Sequence, residues 1–498
     1  MKTPRLIDAV EHHPGAAFAG FLVLHGLIWT ALPSLIYFNL PLDVIEAMVY
    51  GREWQLGYDK LPPLPWWVAE AVYRAFGFDD SLYALSQVAV IVAFVAVWKT
   101  ARPLVGATGA LAAILITDGM HYFTASATKW NHNVIELPLW ALAGFAFYAA
   151  LRREKLGYWI LLGIAIGLAW WAKYFMVVLA APFALFLIFD RDARRQLATP
   201  GPWIAAAVAL AVMAPHLIWL VQHDFLPLNY AEARATPSNG WLDHLRNPFE
   251  YVTAQAFFLI PSLVIAAPLF WRSGKSVPSG GADAFDRRIV TLLVFGPALT
   301  LLALSLVTGR GTQAMWGFPL WLFLGLWFIL FARAPLDYTR LALIGALWAA
   351  VFVLSVAAFV ADYLVLPDLD HRYRAAFFPG DLLSAAITQR FEQATGHEPA
   401  YIIGSMWDGG NVAHYSGEHP QPRVLIDGQP RRAPWINLND LRAHGAVIVW
   451  TDSDPKTLPQ NFAAIAPGAE VGKPFDLPAH RDNGTVHVGW AILRPLAP

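Results

Sequence analysis

The chain has 498 residues, of which 57% are hydrophobic and only 14% charged, with a formal net charge of −1 and no cysteine. A water-soluble domain carries about 25% charged residues, so this composition at this length excludes an ordinary soluble globule. The balanced charge excludes a basic field for nucleic acid, and the missing cysteines exclude disulfides, thiolate catalysis and Cys-based zinc sites.

The first apolar run, 18–37, is a full bilayer span with no small-residue cleavage site after it, and reads as a retained helix. Further runs of spanning length follow at 81–98, 104–118, 134–150, 157–171, 174–189, 203–221, 251–270, 289–307, 316–331 and 341–361, for about eleven spans in all. The 22 tryptophans suit rings at the lipid–water boundary. Lys2 and Arg5, Lys99 and Arg102, "RREK" at 152–155, "RDARR" at 191–195, Arg272 to Arg288, and Arg333 with Arg340 fall in alternate connections. By the positive-inside rule those connections are cytoplasmic, and so is the amino terminus. The opposite connections are 38–80, 119–133, the short turn near Lys173, 222–250 and 308–315. An odd number of spans then puts everything after Asp362 outside.

From about 370 the texture changes. "AYIIGS", "PRVLID" and "GAVIVWTDSD" read as short buried strands, separated by helix-compatible stretches such as "WINLNDLRAH". The expected fold is therefore a mainly α polytopic membrane protein over 1–365, with interfacial helices in the first external loop. A small α/β domain over 370–498 follows on the periplasmic side. The stretch 273–286, "SGKSVPSGGADAFD", reads as a flexible cytoplasmic loop.

The first external loop holds the densest early cluster of ionisable groups. Within it Val44, Ile45, Met48, Val49 and Leu56 recur at helical spacing, which predicts an amphipathic helix in the interface with Trp54 and Tyr58 as anchors. Asp43 and Glu46 stand three apart, on one face near the helix start. Their bland reading is a pair of acids favouring the helix dipole.

An acid at the exit of the first span, an interfacial helix, and then "GYDKLPPLPWW" resemble the polyprenyl-phosphate-dependent glycosyltransferases of family 39. That family includes the protein O-mannosyltransferases and the bacterial transferases that decorate lipid A with aminoarabinose or galacturonic acid. Its first loop opens with an Asp-Glu pair and continues to a Tyr/Lys–Pro–Pro–Leu–x–x–Trp element. Asp43 stands at the pair's first position, and Lys60, Pro62, Pro63, Leu64 and Trp67 supply the second element. Val44 replaces the pair's second acid, with Glu46 one turn on, and Leu61 separates Lys60 from the prolines. Weaker similarity runs through "TKWNHNVIELPLW" at 128–140 and "GLAWWAKYFMVVL" at 167–179, covering roughly the first 330 residues.

The resemblance implies a C-type membrane glycosyltransferase that opens to the periplasm of the bacterial inner membrane. Its donor would be a polyprenyl-phosphate sugar, its acceptor lipid A, lipopolysaccharide core or another envelope glycolipid, and its stereochemistry inverting. A protein acceptor stays open. Asp43, with Glu46, would take the acceptor proton, a step typically worth ~10²–10⁴-fold. The departing phosphate needs cations or a divalent metal. The external cations near span ends are Lys60, Lys129, Lys173, Arg234 and Arg310, each with snorkelling into the headgroups as its alternative. Tyr58, Pro62, Pro63 and Trp67 would wall the substrate pocket. No metal ligand set or organic cofactor stands out.

Other motifs read more plainly. "TDSD" at 451–454 and "GSMWDGGN" at 404–411 read as turns, the second with acceptor-sugar contact as its alternative. His25 and His216 read as hydrogen-bonded packing residues, and His121 and His132 lack a carboxylate at ligand spacing. "NGT" at 483–485 is one short glycosylation match. The rival class, a lipid or sugar flippase, would need ionisable or helix-breaking residues near the bilayer midplane, where this chain places few.

Overall fold

The computed structural model describes residues 11–271, 281–332, 334–417, 421–481 and 484–496. Lys2, Arg5, Arg272, Arg333, most of the 273–286 loop and Asn483 of the sequon lie outside the described residues. The chain divides into two compact units. The first takes in 1–31, 60–64 and 83–359, and the second 32–59, 65–82 and 360–498. The tail set apart by its texture thus shares a unit with most of the first loop.

The helices are α1 (Pro14–Ile36), α2 (Leu42–Gly51), α3 (Leu64–Phe76), α4 (Asp80–Asp118), α5 (His132–Arg153), α6 (Leu156–Ala172), α7 (Val177–Phe189) and α8 (Pro200–Gln222). They continue with α9 (Leu226–Arg234), α10 (Asp243–Ala266), α11 (Ala284–Thr308), α12 (Leu324–Leu330), α13 (Tyr338–Leu364) and α14 (Pro367–Asp370). Among the described residues seven helices are long and apolar enough to cross a membrane, and two shorter apolar helices cover 156–189. The runs read as separate spans at 81–98 and 104–118 are two helical segments, labelled together α4, that meet at a break at Gly106, whose φ is 73°. Pro103, one turn earlier, removes a helix hydrogen bond and helps place that break. The run at 316–331 opens on a 3-10 turn and a stretch of turns and ends in the seven-residue α12.

In the first unit α6 packs against α5 and α8. Two glycines of α6 permit the close approach to α8. A Cβ on Gly163 would stand 2.5 Å from the Ala205 carbonyl oxygen, and one on Gly167 would stand 2.6 Å from Val212 Cβ. Small residues at such a crossing replace the hydrophobic driving force that lipid cannot supply.

The second unit continues with α15 (Gly380–Thr395), α16 (Asp408–His414), α17 (Leu438–His444) and α18 (Gln460–Ile465). Its strands are β1 (Tyr401–Gly404), β2 (Arg423–Ile426), β3 (Ala446–Trp450), β4 (Glu470–Val471), β5 (Phe475–Pro478) and β6 (Thr485–Leu493). The order is β2-β1-β3-β6-β4, with β5 paired to β6. The three expected strands are the parallel ones, with Ile402 opposite Val424 and Val447. Strands of this kind are covered on both faces and read as unbroken apolar runs. β6 runs antiparallel to β3 and closes the parallel part. The core beneath holds Ile403, Leu425, Leu441, Ile448, Trp450 and Phe462.

Candidate functional site

Within the second unit, α2 follows Pro41 and carries Asp43 exposed in its first turn. Glu46 is only 6% exposed, so the two acids do not share an open face. The amphipathic helix expected here is in fact buried from Val44 to Gly51. Gly51 explains how: a Cβ there would fall 2.3 Å from the Trp66 carbonyl oxygen, so α2 and α3 meet backbone to backbone.

Tyr58 is not a surface anchor. It is 1% exposed, donates its hydroxyl to the Tyr50 carbonyl at 2.6 Å and accepts from the Gln55 amide at 3.1 Å. The Tyr50 ring stacks on Trp66 at 4.3 Å, and its hydroxyl donates to Asp59 Oδ1 at 2.6 Å. Burial, reinforced by the Asp59 charge, holds the Tyr50 phenol well above its ordinary value, so it stays a donor. Arg432 donates from Nε to Asp59 Oδ2 at 2.8 Å and also pairs with Asp427. Trp67 is half-buried, 6.2 Å from the Trp54 ring, which is 44% exposed. Asp59 thus pins the loop to the tail, a role that sequence reading missed because its partner lies more than 370 residues away.

Within the first unit the loop's centre, 60–64, meets two later motifs. Pro62 and Pro63 are buried, and the Pro62 carbonyl oxygen lies 3.1 Å from His132 Nε2. His132 opens α5, whose cap is Asn131, its side chain accepting from the amides of Asn133 at 2.9 Å and Val134 at 3.1 Å. That cap projects the first turn toward Lys173, the break between α6 and α7. Lys173 Nζ donates to Asn133 Oδ1 at 2.7 Å and pairs with Glu136 Oε2 at 3.3 Å. Glu136 is wholly buried and Lys173 only 13% exposed. "DKLPP", "NHNVIE" and "AKYF" therefore converge, with Lys60 Nζ 5.3 Å from the centre of the Tyr230 ring. Asn133 and Glu136 were quoted in sequence without a role; the cap at Asn131 and the helical i, i+3 spacing were the signal available.

The remaining predicted cations sit apart from this junction. Lys129 is half-buried, and His121 is held below its ordinary value by burial and then by the Lys129 charge. Arg310 pairs with Glu232 at 2.7 Å and donates to the carbonyls of Glu232 and Ala235 at 3.1 and 3.3 Å. Arg234 is exposed, and its carbonyl accepts from Gln313 Nε2 at 3.2 Å. The segments that follow Arg234 and Arg310 help line a cavity of about 410 Å³, with Thr236, Asn239, Arg246, Asn247, Tyr251 and Thr312 in its wall. Among the described residues no group of three or more His, Asp or Glu side chains is placed to hold a metal ion.

The two tail motifs read as turns adjoin. Asp408 accepts from Ser405 Oγ at 3.0 Å and from Thr451 Oγ1 at 2.8 Å. Burial lifts the Asp408 carboxyl to about 6. Asp454 holds the Lys456 amide at 3.1 Å and the Thr457 hydroxyl at 2.7 Å, a turn cap. His216 lies 3.0 Å from the Tyr174 hydroxyl as expected, whereas His25 is buried 2.9 Å from Asp118 without a hydrogen bond among the described residues.

Residues 60–219 match the family described as dolichyl-phosphate-mannose-protein mannosyltransferase, a segment that begins at Lys60 and contains His132, Asn133, Glu136 and Lys173. The fold is that of ArnT from Cupriavidus metallidurans, solved bound to undecaprenyl phosphate, with a TM-score of 0.61 at 13% identity over 95% of this chain and 97% of that one. The resemblance read from the first loop is upheld: residues 60–219 match a membrane mannosyltransferase family, and the chain is similar to glycosyltransferases in sequence and fold. Among characterised relatives, it is 25% identical to the lipid A galacturonosyltransferase RgtD of Rhizobium johnstonii, over 66% of this chain and 68% of that protein. It is 24% identical to the lipopolysaccharide core galacturonosyltransferase RgtA of the same organism, over 97% of both chains.

Proposed function

We propose that the protein moves a sugar, galacturonic acid by analogy with its relatives, from a polyprenyl-phosphate donor to lipid A or lipopolysaccharide core. The end-to-end match to a core galacturonosyltransferase carries this reading. The site residues support it. Asp43 is exposed at the head of α2, where a carboxylate can accept the proton of an acceptor hydroxyl. The hydroxyl oxygen attacks the anomeric carbon as the bond from that carbon to the phosphate oxygen breaks, inverting the centre. Lys60 meets the charge left on the lipid phosphate as a point charge, which needs no bidentate geometry. His132, against the Pro62 carbonyl, holds the segment that presents Lys60.

In this reading the chain crosses the bacterial inner membrane about eleven times. The amino terminus is cytoplasmic, the site faces the periplasm and residues 370–498 form a periplasmic domain. A periplasm-dependent reporter fused after Pro498 is expected to be active; a silent, well-expressed fusion would shift the count by one. The function itself is tested by mass spectrometry of envelope glycolipids from cells carrying the parent or Asp43→Asn. A galacturonate-bearing lipid A or core species should be present only with the parent. Identical profiles would remove the proposal.

A further inference from the structure

The second unit holds a pocket of about 460 Å³ whose lining includes none of the candidate site residues described above. Its lining is Tyr73 and the turn Gly77–Asp80, with His414, Tyr415 and Gly417 from the end of α16. His414 is 4% exposed, and its Nε2 lies 2.9 Å from Asp79 Oδ1. In the neutral ring with Asp79 accepting the Nε2 proton, Nδ1 carries the lone pair and is an acceptor. That Nδ1 is buried without a hydrogen-bond partner among the described residues. A buried acceptor left unmade is expensive, so its presence in the lining of a cavity points to a donor that arrives with a ligand.

The surroundings define that donor. The Tyr73 and Tyr415 rings stand 5.2 and 4.8 Å from the imidazole, tilted by 55° and 78°. Tyr415 is fixed by accepting the Leu40 amide at 2.9 Å. Phe78, 53% exposed, gives the pocket an open aromatic rim. Among the described residues Asp79 and Asp80 are the charged side chains of its lining, which includes no Lys or Arg. Such a pocket repels phosphates and uronic acids. Hydroxyl groups can donate to the carboxylates and to Nδ1, while the C–H face of a ring lies on tyrosine or phenylalanine.

We infer that this pocket binds a neutral, hydroxyl-rich sugar of the acceptor glycolipid, an acceptor subsite that rests on the glycosyltransferase reading above. The same chemistry would suit a free saccharide, and the test separates the two.

The full-length protein in lipid nanodiscs is probed by saturation-transfer NMR with methyl glucoside, and with methyl galacturonide as the anionic control. Signal is expected on the glucoside and not on the galacturonide. Asp79→Asn and His414→Leu should each lower it several-fold while melting like the parent. In transfer assays with an intact neutral-sugar-bearing glycolipid, both variants should raise the acceptor KM about tenfold, as for one or two lost hydrogen bonds, with donor KM and kcat held. An unchanged acceptor KM alongside lost glucoside binding would assign the pocket to free saccharide and overturn the acceptor assignment. No signal on the parent, equal signal on both glycosides, or unaltered binding by well-folded variants would overturn the pocket itself. Asp43→Asn should bind methyl glucoside like the parent. If it also retains transfer, the catalytic reading fails while the pocket stands.

Discussion

The two units treat buried polar groups differently. In the first they come as isolated pairs and short triads. His25 meets Asp118, which also accepts from Trp348 Nε1 at 2.8 Å, and Lys173 meets Glu136 and Asn133. Hydroxyls close on nearby carbonyls, Thr117 on Ala113 at 3.0 Å and Ser262 on Ile116 at 2.6 Å. In the second they form chains, Tyr50–Asp59–Arg432–Asp427 and Ser405–Asp408–Thr451. Hydrocarbon offers no water to finish an unmet group, so a helix bundle admits a polar side chain only with its partner. An α/β domain can build longer networks because its loops bring several polar groups together at strand ends. Asp43 differs from both in being exposed on the surface of α2.

Asp43→Asn gives the largest expected effect, a roughly 10²–10⁴-fold loss of transfer with folding intact, measured on purified protein with donor and acceptor. Glu46→Gln should fall well short of that, because Glu46 is buried. Near-normal transfer by Asp43→Asn would reduce that residue to a helix cap.

Lys173 tests the pair pattern. Lys173→Met strands a fully buried Glu136 and should destabilise by about 3–5 kcal/mol, seen as a lower melting temperature. Adding Glu136→Gln should recover much of that loss, whereas a stable Lys173→Met that lost only donor turnover would make Lys173 a phosphate ligand.

Asp408 tests the network pattern through pH. Its carboxyl sits at about 6 against an ordinary 3.8. The folded state therefore holds a proton that the unfolded chain has released, and this contribution to stability fades as pH rises from about 4 to 6. The swing is at most about 3 kcal/mol, and Asp408→Asn should flatten it in melts across that range. An unaltered pH profile in the variant would assign the swing to other groups.

Lys60 gives the smallest expected effect on this scale. Lys60→Met should lower kcat/KM by about 1.5–3 kcal/mol, roughly 10–150-fold, and Lys60→Arg should keep part of the activity. If Lys60→Met binds and turns over donor like the parent, the lysine only snorkels, and Arg234 or Arg310 inherits the role.

Much of this was legible from residue order. The apolar runs locate the spanning helices, and the three unbroken strand runs locate the parallel part of the sheet. β4, β5 and β6 were not, because Glu470–Val471 is two exposed residues and β6 alternates buried with exposed positions in its first half. The interfacial reading of α2 failed on Gly51: a periodicity that fits one wet face also fits a helix buried all round, and a backbone contact with Trp66 leaves no trace in hydropathy.

Composition and periodicity by themselves determined a membrane-spanning helical protein with an α/β tail, because burial in lipid or in a sheet selects residues by local pattern. Order of motifs carried the family resemblance, since "DKLPP", "NHNVIE" and "AKYF" follow one another along the chain. Only the tertiary structure decided which charges are buried and which face outward. Lys173 and Lys60 look alike in a string of letters, and so do Asp43, Glu46 and Asp59. Their separation depends on partners brought close by folding, Glu136 for Lys173 and Arg432 for Asp59. An ion pair is a matter of a few ångströms in space, and no one-dimensional pattern encodes that distance.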